Sequence, residues 1–344
     1  MTILSAQQTL ESPIWYQGTA DAVRQNLRFF RTEGDLVLIL SGDHIYRMDY
    51  RKFINFHLEM KADISISVNP VGYDQASAFG VMQVDKDAQI TAFYEKPKQP
   101  AQLESTRAPE EVFHQFQMDA AGRTHLASMG VYLFNWRILR ELLENTDFED
   151  FGRDVIPYAI RKKKVHAYFF DGYWKDIGTI RSFYEVNMDL ANPLPKFNFY
   201  DEERPIFSHA RFLPGSKILS SEIKNSILCE GSIINHSRIS HSIIGIRSWI
   251  GDNSAIEHSF IMGADLYESE EEITRNKKQG IPNVGIGSNC EIRKAIIDKN
   301  ARIGNRVKLI NARGVNDETS EHYVIRDGII VVPKNAVLPE ETVI

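Results

Sequence analysis

Strands interleaved with helices up to about Asn192, and an aliphatic residue recurring roughly every six positions from Ile227 onward, predict an α/β layer domain followed by a β-helix of hexapeptide repeats. A third observation separates the two parts. Prolines at 193, 195, 205 and 214 leave no period intact, which marks an interdomain connection. The expected division is therefore 1–192, a linker over 193–214, and 215–344, in keeping with a chain of 344 residues that exceeds one usual domain.

In the first part, Thr19 stands where it can cap a helix carrying Val23, Leu27 and Phe30 on one side. The apolar run Leu36 to Leu40 reads as a buried strand ending in the turn Ser41-Gly42-Asp43. Asp49 can cap the next helix, on which Phe53, Phe56 and Met60 share a face. Ile64, Ile66 and Val68 alternate as a strand, and further strands are expected at Gly80 to Val84, Ile90 to Tyr94, Met129 to Phe134 and Val165 to Phe170. This interleaving predicts a largely parallel sheet, in which ligands bind beyond the carboxyl ends of the strands. Lys98 to Thr124 is polar and irregular and reads as a surface insertion.

In the second part, Ile227, Ile233 and Ile239 fall six apart, a five-residue slip leads to Ile244, and the spacing resumes through Ile250, Ile256 and Met262. After a charged interruption from Asp265 to Lys278 it returns as Ile286, Ile292, Ile297, Ile303 and Leu309, again with one slip. Each step supplies a short strand and a corner, with the aliphatic side chain filling the interior. Gly231, Ser232, Gly251, Gly287 and Gly304 suit the corners. A conventional antiparallel sheet, of period two, competes with this reading. It calls for more apolar residues at intervening positions, where Asn, His, Ser and Arg stand instead.

Lys plus Arg number 40 against 46 Asp plus Glu, a balance that does not favour a nucleic-acid partner but allows a small anion held by local cations. Cys229 and Cys290 are too few for a disulfide framework, which suits a reducing compartment. The opening residues lack the basic start and apolar middle of a secretory signal, and no apolar run reaches membrane-spanning length. A soluble cytoplasmic protein without a membrane partner is expected.

Candidate chemistry lies after the strands, in Trp15 to Ala22, Ser41-Gly42-Asp43-His44, Ala78-Phe79-Gly80-Val81, Glu95-Lys96-Pro97, Ser128-Met129-Gly130 and Tyr173 to Thr179. Two aspartates on separate turns at one sheet edge can jointly hold Mg²⁺, a hard cation that takes oxygen ligands and is shared with substrate phosphates. A nearby lysine can meet a sugar phosphate as a compact point charge. The ten histidines show no metal-ligand spacing, and His44 reads as structural or as a group behind the site.

Together and in this order, WYQGTADAV, SGDHIYRMDY, SAFGVM, EKP, SMGVYLF, FGRD and YWKDIGTI, with the hexapeptide tail and RDGIIVVPKNAV, resemble the sugar nucleotidyltransferases. The resemblance is greatest to the ADP-glucose pyrophosphorylase (glucose-1-phosphate adenylyltransferase) family of glycogen and starch synthesis, and it covers essentially the whole chain. It implies a Rossmann-like mixed α/β nucleotidyltransferase sheet followed by a left-handed parallel β-helix, and adenylyl transfer from ATP to glucose 1-phosphate. By the same resemblance Asp43 and Asp176 would bind the catalytic Mg²⁺, Glu95 would orient the sugar, and Lys96 would grip its phosphate. Tyr16, Gln17, Gly18 and Thr19 would line the nucleotide side, and Gly80 would let the backbone approach the ligand. Ser128 would hydrogen-bond glucose 1-phosphate, Asp154 would accept a sugar hydroxyl, and Lys175 is a further candidate for phosphate contact. A homotetramer or heterotetramer is implied, and a phosphorylated-metabolite effector at Lys334.

That family opens with a strand, a glycine-rich loop containing an Arg, and a helix around the nucleotide phosphates. Residues 1–15 hold no Gly, the first being Gly18, and Ala6-Gln7-Gln8-Thr9 match a place inside the family's catalytic domain. The expectation is a catalytic domain incomplete on its N-terminal side, with little activity and low stability when the chain is expressed alone. A fragment or misplaced start, a subunit completed by another chain, and a noncatalytic regulatory or metabolite-sensing relative are the competing explanations. An acyltransferase using His236, His241 or His258 between coils is a further alternative, one that leaves the first-domain motifs without a purpose.

Overall fold

The computed structural model describes residues 4, 15–30 and 34–344, so Ala6 to Thr9 lie outside the described residues. The chain forms two compact units, 1–174 and 175–344. The division falls inside one short strand, Trp174–Asp176, and that strand is taken with the first unit because it pairs with His44–Tyr46.

The first unit contains α1 (Thr19–Gln25), β1 (Leu36–Leu40), β2 (His44–Tyr46), α2 (Tyr50–Glu59), β3 (Ile64–Val71), α3 (Tyr73–Ala76), β4 (Gly80–Val84) and β5 (Ile90–Glu95). It continues with α4 (Pro100–Ser105), α5 (Glu110–Gln115), β6 (His125–Asn135), α6 (Trp136–Glu144), α7 (Ile156–Ile160), β7 (Val165–Phe169) and β8 (Trp174–Asp176). The main sheet runs β5-β4-β6-β3-β7, with β1 also on β6. Strand β6 is its spine. One edge of β6 pairs with β3; the other pairs first with β4 at Leu126 and Ala127, then with β1 from Val131 to Asn135.

The expected largely parallel sheet is corrected here. Among the described pairs only β3 with β7 is parallel, while β1, β3 and β4 all run antiparallel to β6, and β5 to β4. Interleaved helices do not by themselves fix strand direction: β4 and β5 are joined by the short turn Asp85 to Gln89, which returns the chain antiparallel.

Both faces of the sheet are covered. Leu126, Tyr132 and Phe134 of β6 join one apolar cluster with Ile64, Ile66, Leu139 and Leu143. Met129, Val131 and Leu133 join another with Phe53 and Phe170. The alternating Ser65 and Ser67 of β3 are therefore buried as well, and each is satisfied: Ser65 Oγ lies 2.8 Å from His57 Nδ1, and Ser67 Oγ donates to Met129 Sδ at 3.1 Å.

Two further expectations are revised. Gly18, not Thr19, is the N-cap of α1, and the helix stops at Gln25, before Phe30. The stretch 98–124 is not a featureless insertion, because α4 and α5 turn Leu103, Val112 and Phe113 into the protein; helices this short cannot display a period. Asp49 caps α2 by accepting from Arg51 N at 3.0 Å.

In the second unit, α8 (Ile180–Leu190) begins with a capping box between Thr179 and Ser182. It packs on the coils that follow: Phe183 meets Phe260 at 5.7 Å, and Tyr184 Oη donates to the His258 carbonyl at 2.6 Å. No helix or strand is assigned from 193 to 216, and Leu194, Phe207 and Phe212 there are exposed.

From Lys217 the chain winds through three sheets of short strands, parallel throughout except where Glu318–Thr319, Val324–Arg326 and Ile329–Val332 pair antiparallel at the end of one sheet. Ile234 pairs with Ile250, Ile239 with Ile256 and Ile244 with Ile261, and equivalent residues lie 16 or 17 apart in sequence. Parallel pairing disposes of the antiparallel alternative for these coils. The inward positions are Leu228, Ile234 and Ile261 rather than Ile227, Ile233 and Met262, a shift of one residue. Its cause is a corner of variable length. Five-residue steps turn on a left-handed residue two places after the inward one, as at His236 (φ 39°) and His241 (φ 46°), and six-residue steps on one three places after, as at Asn253 (φ 56°).

Buried serines hold these corners. Ser254 N donates to Ser237 Oγ at 3.1 Å, and Ser237 N to Ser221 Oγ at 3.0 Å, one coil to the next. The charged interruption carries α9 (Glu270–Gln279), opened by a Ser269–Glu272 capping box and closed by Gly280 at φ 67°.

Candidate active site

The place where β6 changes partner from β4 to β1 is Ser128-Met129-Gly130, and the register with β3 shifts there between Ile66 and Val68. Gly130 has φ 65°, and its carbonyl accepts from Ser41 N at 3.0 Å. A Cβ at Gly130 would stand 3.0 Å from Ser41 Cβ, so the glycine lets the Ser41 to Asp43 turn lie against the spine strand.

Asp43 is exposed at the tip of that turn. A hydrogen bond from Ser41 Oγ holds its carboxyl below the usual carboxylate range; partial desolvation opposes this, and His44 and Lys96 add to the lowering. His44 Nε2 lies 3.6 Å from Asp43 Oδ1, and His44 Nδ1 lies 2.7 Å from the Met129 carbonyl oxygen. β2, which begins at His44, pairs with β8, which ends at Asp176. Asp43, His44 and Asp176 each present one ligand atom, all within 4.8 Å of one another. Two carboxylates and an imidazole nitrogen at that spacing are a donor set that fits a divalent cation.

Lys96 follows β5 at φ 46°, with its backbone N–H bonded to the Phe79 carbonyl at 3.1 Å. Glu95 is exposed as a residue, yet its carboxylate is wedged between glycines: a Cβ on Gly80 or on Gly152 would each come within 2.8 Å of Oε2. This crowding desolvates the group and raises its proton affinity; Lys96 opposes the rise and Asp150 adds to it. Behind it, burial pushes the Tyr132 hydroxyl up to about 12 despite its hydrogen bond with Ser128. Ser128 is itself buried, and its Oγ accepts from Gly130 N at 3.3 Å.

Gly18 and Thr19 bind a loop distant in sequence. A Cβ on Gly18 would lie 2.4 Å from the Glu149 carbonyl oxygen, Thr19 Oγ1 donates to Asp150 Oδ2 at 2.9 Å, and Phe151 N donates to Thr19 Oγ1 at 3.1 Å. Asp154 turns back on the same loop and accepts from Glu149 N at 3.1 Å, Asp150 N at 3.0 Å and Arg153. Gln17 N donates to Asp21 Oδ2 at 2.9 Å, and Tyr16 Oη accepts from Asn26 Nδ2 at 2.8 Å. Lys175 is the middle residue of β8. In the second unit, Lys334 Nζ pairs with Asp265 Oδ2 at 3.1 Å, on a carboxylate that Lys299 and Asn300 also hold.

Asp150 and Gly152 have no role in the sequence reading, although both belong to this constellation. The signal available was the glycine of FGRD, whose neighbour Glu95 is far away in sequence.

Residues 1–193 match the nucleotidyl transferase family model, and the chain belongs to that family. It is a nucleotidyltransferase by fold. Residues 211–343 match the GLGC left-handed parallel beta-helix domain, which gives the coils their hand. Among the described residues no helix is long and apolar enough to cross a membrane.

Proposed function

We propose that this chain is a glucose-1-phosphate adenylyltransferase, forming ADP-glucose and diphosphate from ATP and glucose 1-phosphate. The pairing of a nucleotidyl transferase domain with a GLGC-type β-helix supports that choice among sugar nucleotidyltransferases. The observation that carries it is the donor cluster Asp43, His44 and Asp176, with Lys96 close enough to lower Asp43's proton affinity and Glu95 next in sequence to that lysine.

The sugar phosphate oxygen attacks the α-phosphorus of ATP in line, a new P–O bond forms, and the bond to the departing diphosphate breaks. No protein nucleophile is required. Asp43 and Asp176 would hold Mg²⁺, which neutralises charge on the phosphates when bound. Lys96 meets the phosphate of glucose 1-phosphate, Glu95 accepts hydroxyls of the sugar, and Ser128 and Asp154 bind its remaining oxygens. Tyr16, Gln17, Gly18 and Thr19 would lie on the nucleotide side, while Gly80 makes room for the Phe93 ring and the Glu95 carboxylate. The work of these residues is to align two anions and to offset the charge that builds up between them.

A tetramer and a phosphorylated-metabolite effector at Lys334 complete the proposal. Lys334 in its present pair with Asp265 would exchange that carboxylate for the effector's phosphate. Diphosphate release from ATP and each of several sugar 1-phosphates tests the reading. Release with glucose 1-phosphate above all supports it; release only with another sugar, or only with another nucleoside triphosphate, refutes the assignment.

A further inference from the structure

We infer that Nε2 of His44 is a third donor to the divalent ion held by Asp43, and that it shifts the site's preference from magnesium towards first-row transition ions, for which manganese is the probe. This rests on the metal-dependent reading of the site given above.

The tautomer comes first. Nδ1 of His44 is 2.7 Å from the Met129 carbonyl oxygen, and a carbonyl only accepts, so Nδ1 carries the proton and in the neutral ring Nε2 carries the lone pair. Trp174 Nε1 lies 3.4 Å from the same Nδ1, but one nitrogen cannot both donate and accept in the ring plane; the shorter contact decides. Trp174 instead packs edge-on, with ring centroids 5.4 Å apart and planes at 89°.

The ring is then held in place. Met129 is fully buried in the spine strand, so its carbonyl is a fixed anchor. Gly130 supplies the space: a Cβ there would stand 3.4 Å from His44 Cε1. So positioned, Nε2 faces Asp43 Oδ1 at 3.6 Å. Metal-ligating histidines are held in this way, with the other ring nitrogen donating to a backbone carbonyl. Adjacent donors around a six-coordinate ion with bonds of about 2.1 Å stand about 3.0 Å apart, so the 3.6 Å between Nε2 and Oδ1 has to close by about 0.6 Å for both to ligate one ion, a small turn of the exposed Asp43 carboxylate. Magnesium takes oxygen almost exclusively, whereas an imidazole nitrogen beside carboxylates suits first-row transition ions better, manganese being the one that gains least from it.

Calorimetric titration of the full chain with MnCl₂ and with MgCl₂ tests the inference in wild type, His44→Gln and Asp43→Asn. Electron spin-echo spectra of the Mn²⁺-loaded wild type give a readout that needs no variant. Wild type is expected to show nitrogen-14 coupling from imidazole, and His44→Gln to lose it together with about ten-fold in Mn²⁺ affinity, while Mg²⁺ affinity changes by less than about two-fold. Absence of nitrogen coupling in wild type, or an unchanged Mn²⁺ to Mg²⁺ ratio in His44→Gln, overturns the inference. If that happens while Asp43→Asn still abolishes binding, the proposed function stands without it. If Asp43→Asn binds both ions as wild type does, the ion lies elsewhere and both readings fall.

Discussion

The Phe93 ring and the carboxylate of Glu95 together occupy the space that a side chain on Gly80 would need, with Phe93 Cζ 2.5 Å and Glu95 Oε2 2.8 Å from the position of a Cβ there. Gly152 makes the same demand of Glu95 from the other side. Two glycines from separate elements thus hold one carboxylate at the end of β5, beside Lys96.

Substituting Gly152 displaces Glu95, and substituting Gly80 displaces the Phe93 ring together with Glu95. Gly80→Ala and Gly152→Ala are expected to lower kcat/KM for glucose 1-phosphate by about 10²-fold, the loss that follows from misplacing a substrate-positioning group by about 1 Å. KM for ATP should move much less. Steady-state kinetics with each substrate varied would reveal it; equal losses on both substrates would contradict the assignment of Glu95 to the sugar.

Stability should fall as pH drops below the ordinary histidine range. Burial depresses the proton affinity of His57 and of His166, so the unfolded chain takes up protons at these positions more readily than the folded one. Their penalty is absent well above the unfolded pKa of about 6.5 and grows as pH falls below it. Urea midpoints at pH 7.5 and 5.5 measure the effect, and a midpoint that rises on acidification would be inconsistent with it.

The one-residue shift in the coils can be measured directly. Ile234→Ala empties a fully buried position and should cost about 2–5 kcal/mol, whereas Ile233→Ala, at a half-buried one, should cost clearly less. Reversal of that order in thermal or denaturant unfolding would restore the simple six-residue reading.

Ser237 tests the corner ladder. Its Oγ accepts from Ser254 N at 3.1 Å and donates to the Gly251 carbonyl at 2.7 Å. Ser237→Ala should destabilise the chain by about 1–3 kcal/mol by leaving a buried N–H unpaired. A change indistinguishable from zero would mean that the ladder contributes little.

Lys334→Ala should abolish activation by phosphorylated metabolites and leave unstimulated turnover in place. Equal activation of the two proteins in a metabolite titration would remove the effector role.

Much of this architecture was legible because it is periodic. The coil rhythm, the strands from Gly80 to Val84 and from Val165, and the cap at Asp49 all arise from neighbours close in sequence. Strand direction was not legible, since it depends on which way β6 lies between β3 and β1. Asp150 escaped for a similar reason: its partner Thr19 is 131 residues away, and neither local composition nor spacing records such a contact. In α4 and α5 the apolar residues are too few per helix to betray a face. The inward register slipped by one because the step from one inward residue to the next is five residues at some corners and six at others, and only the backbone φ at each corner distinguishes them.

Binding of ADP-glucose to the full chain in the presence of Mg²⁺, in wild type and in Asp43→Asn, tests the central claim most directly. Saturable binding of ADP-glucose in preference to UDP-glucose, weakened at least about ten-fold by the substitution, is the predicted result. Binding that does not discriminate the base, or that is unaffected by the loss of the Asp43 charge, would contradict an adenylyl-transfer site built on this turn.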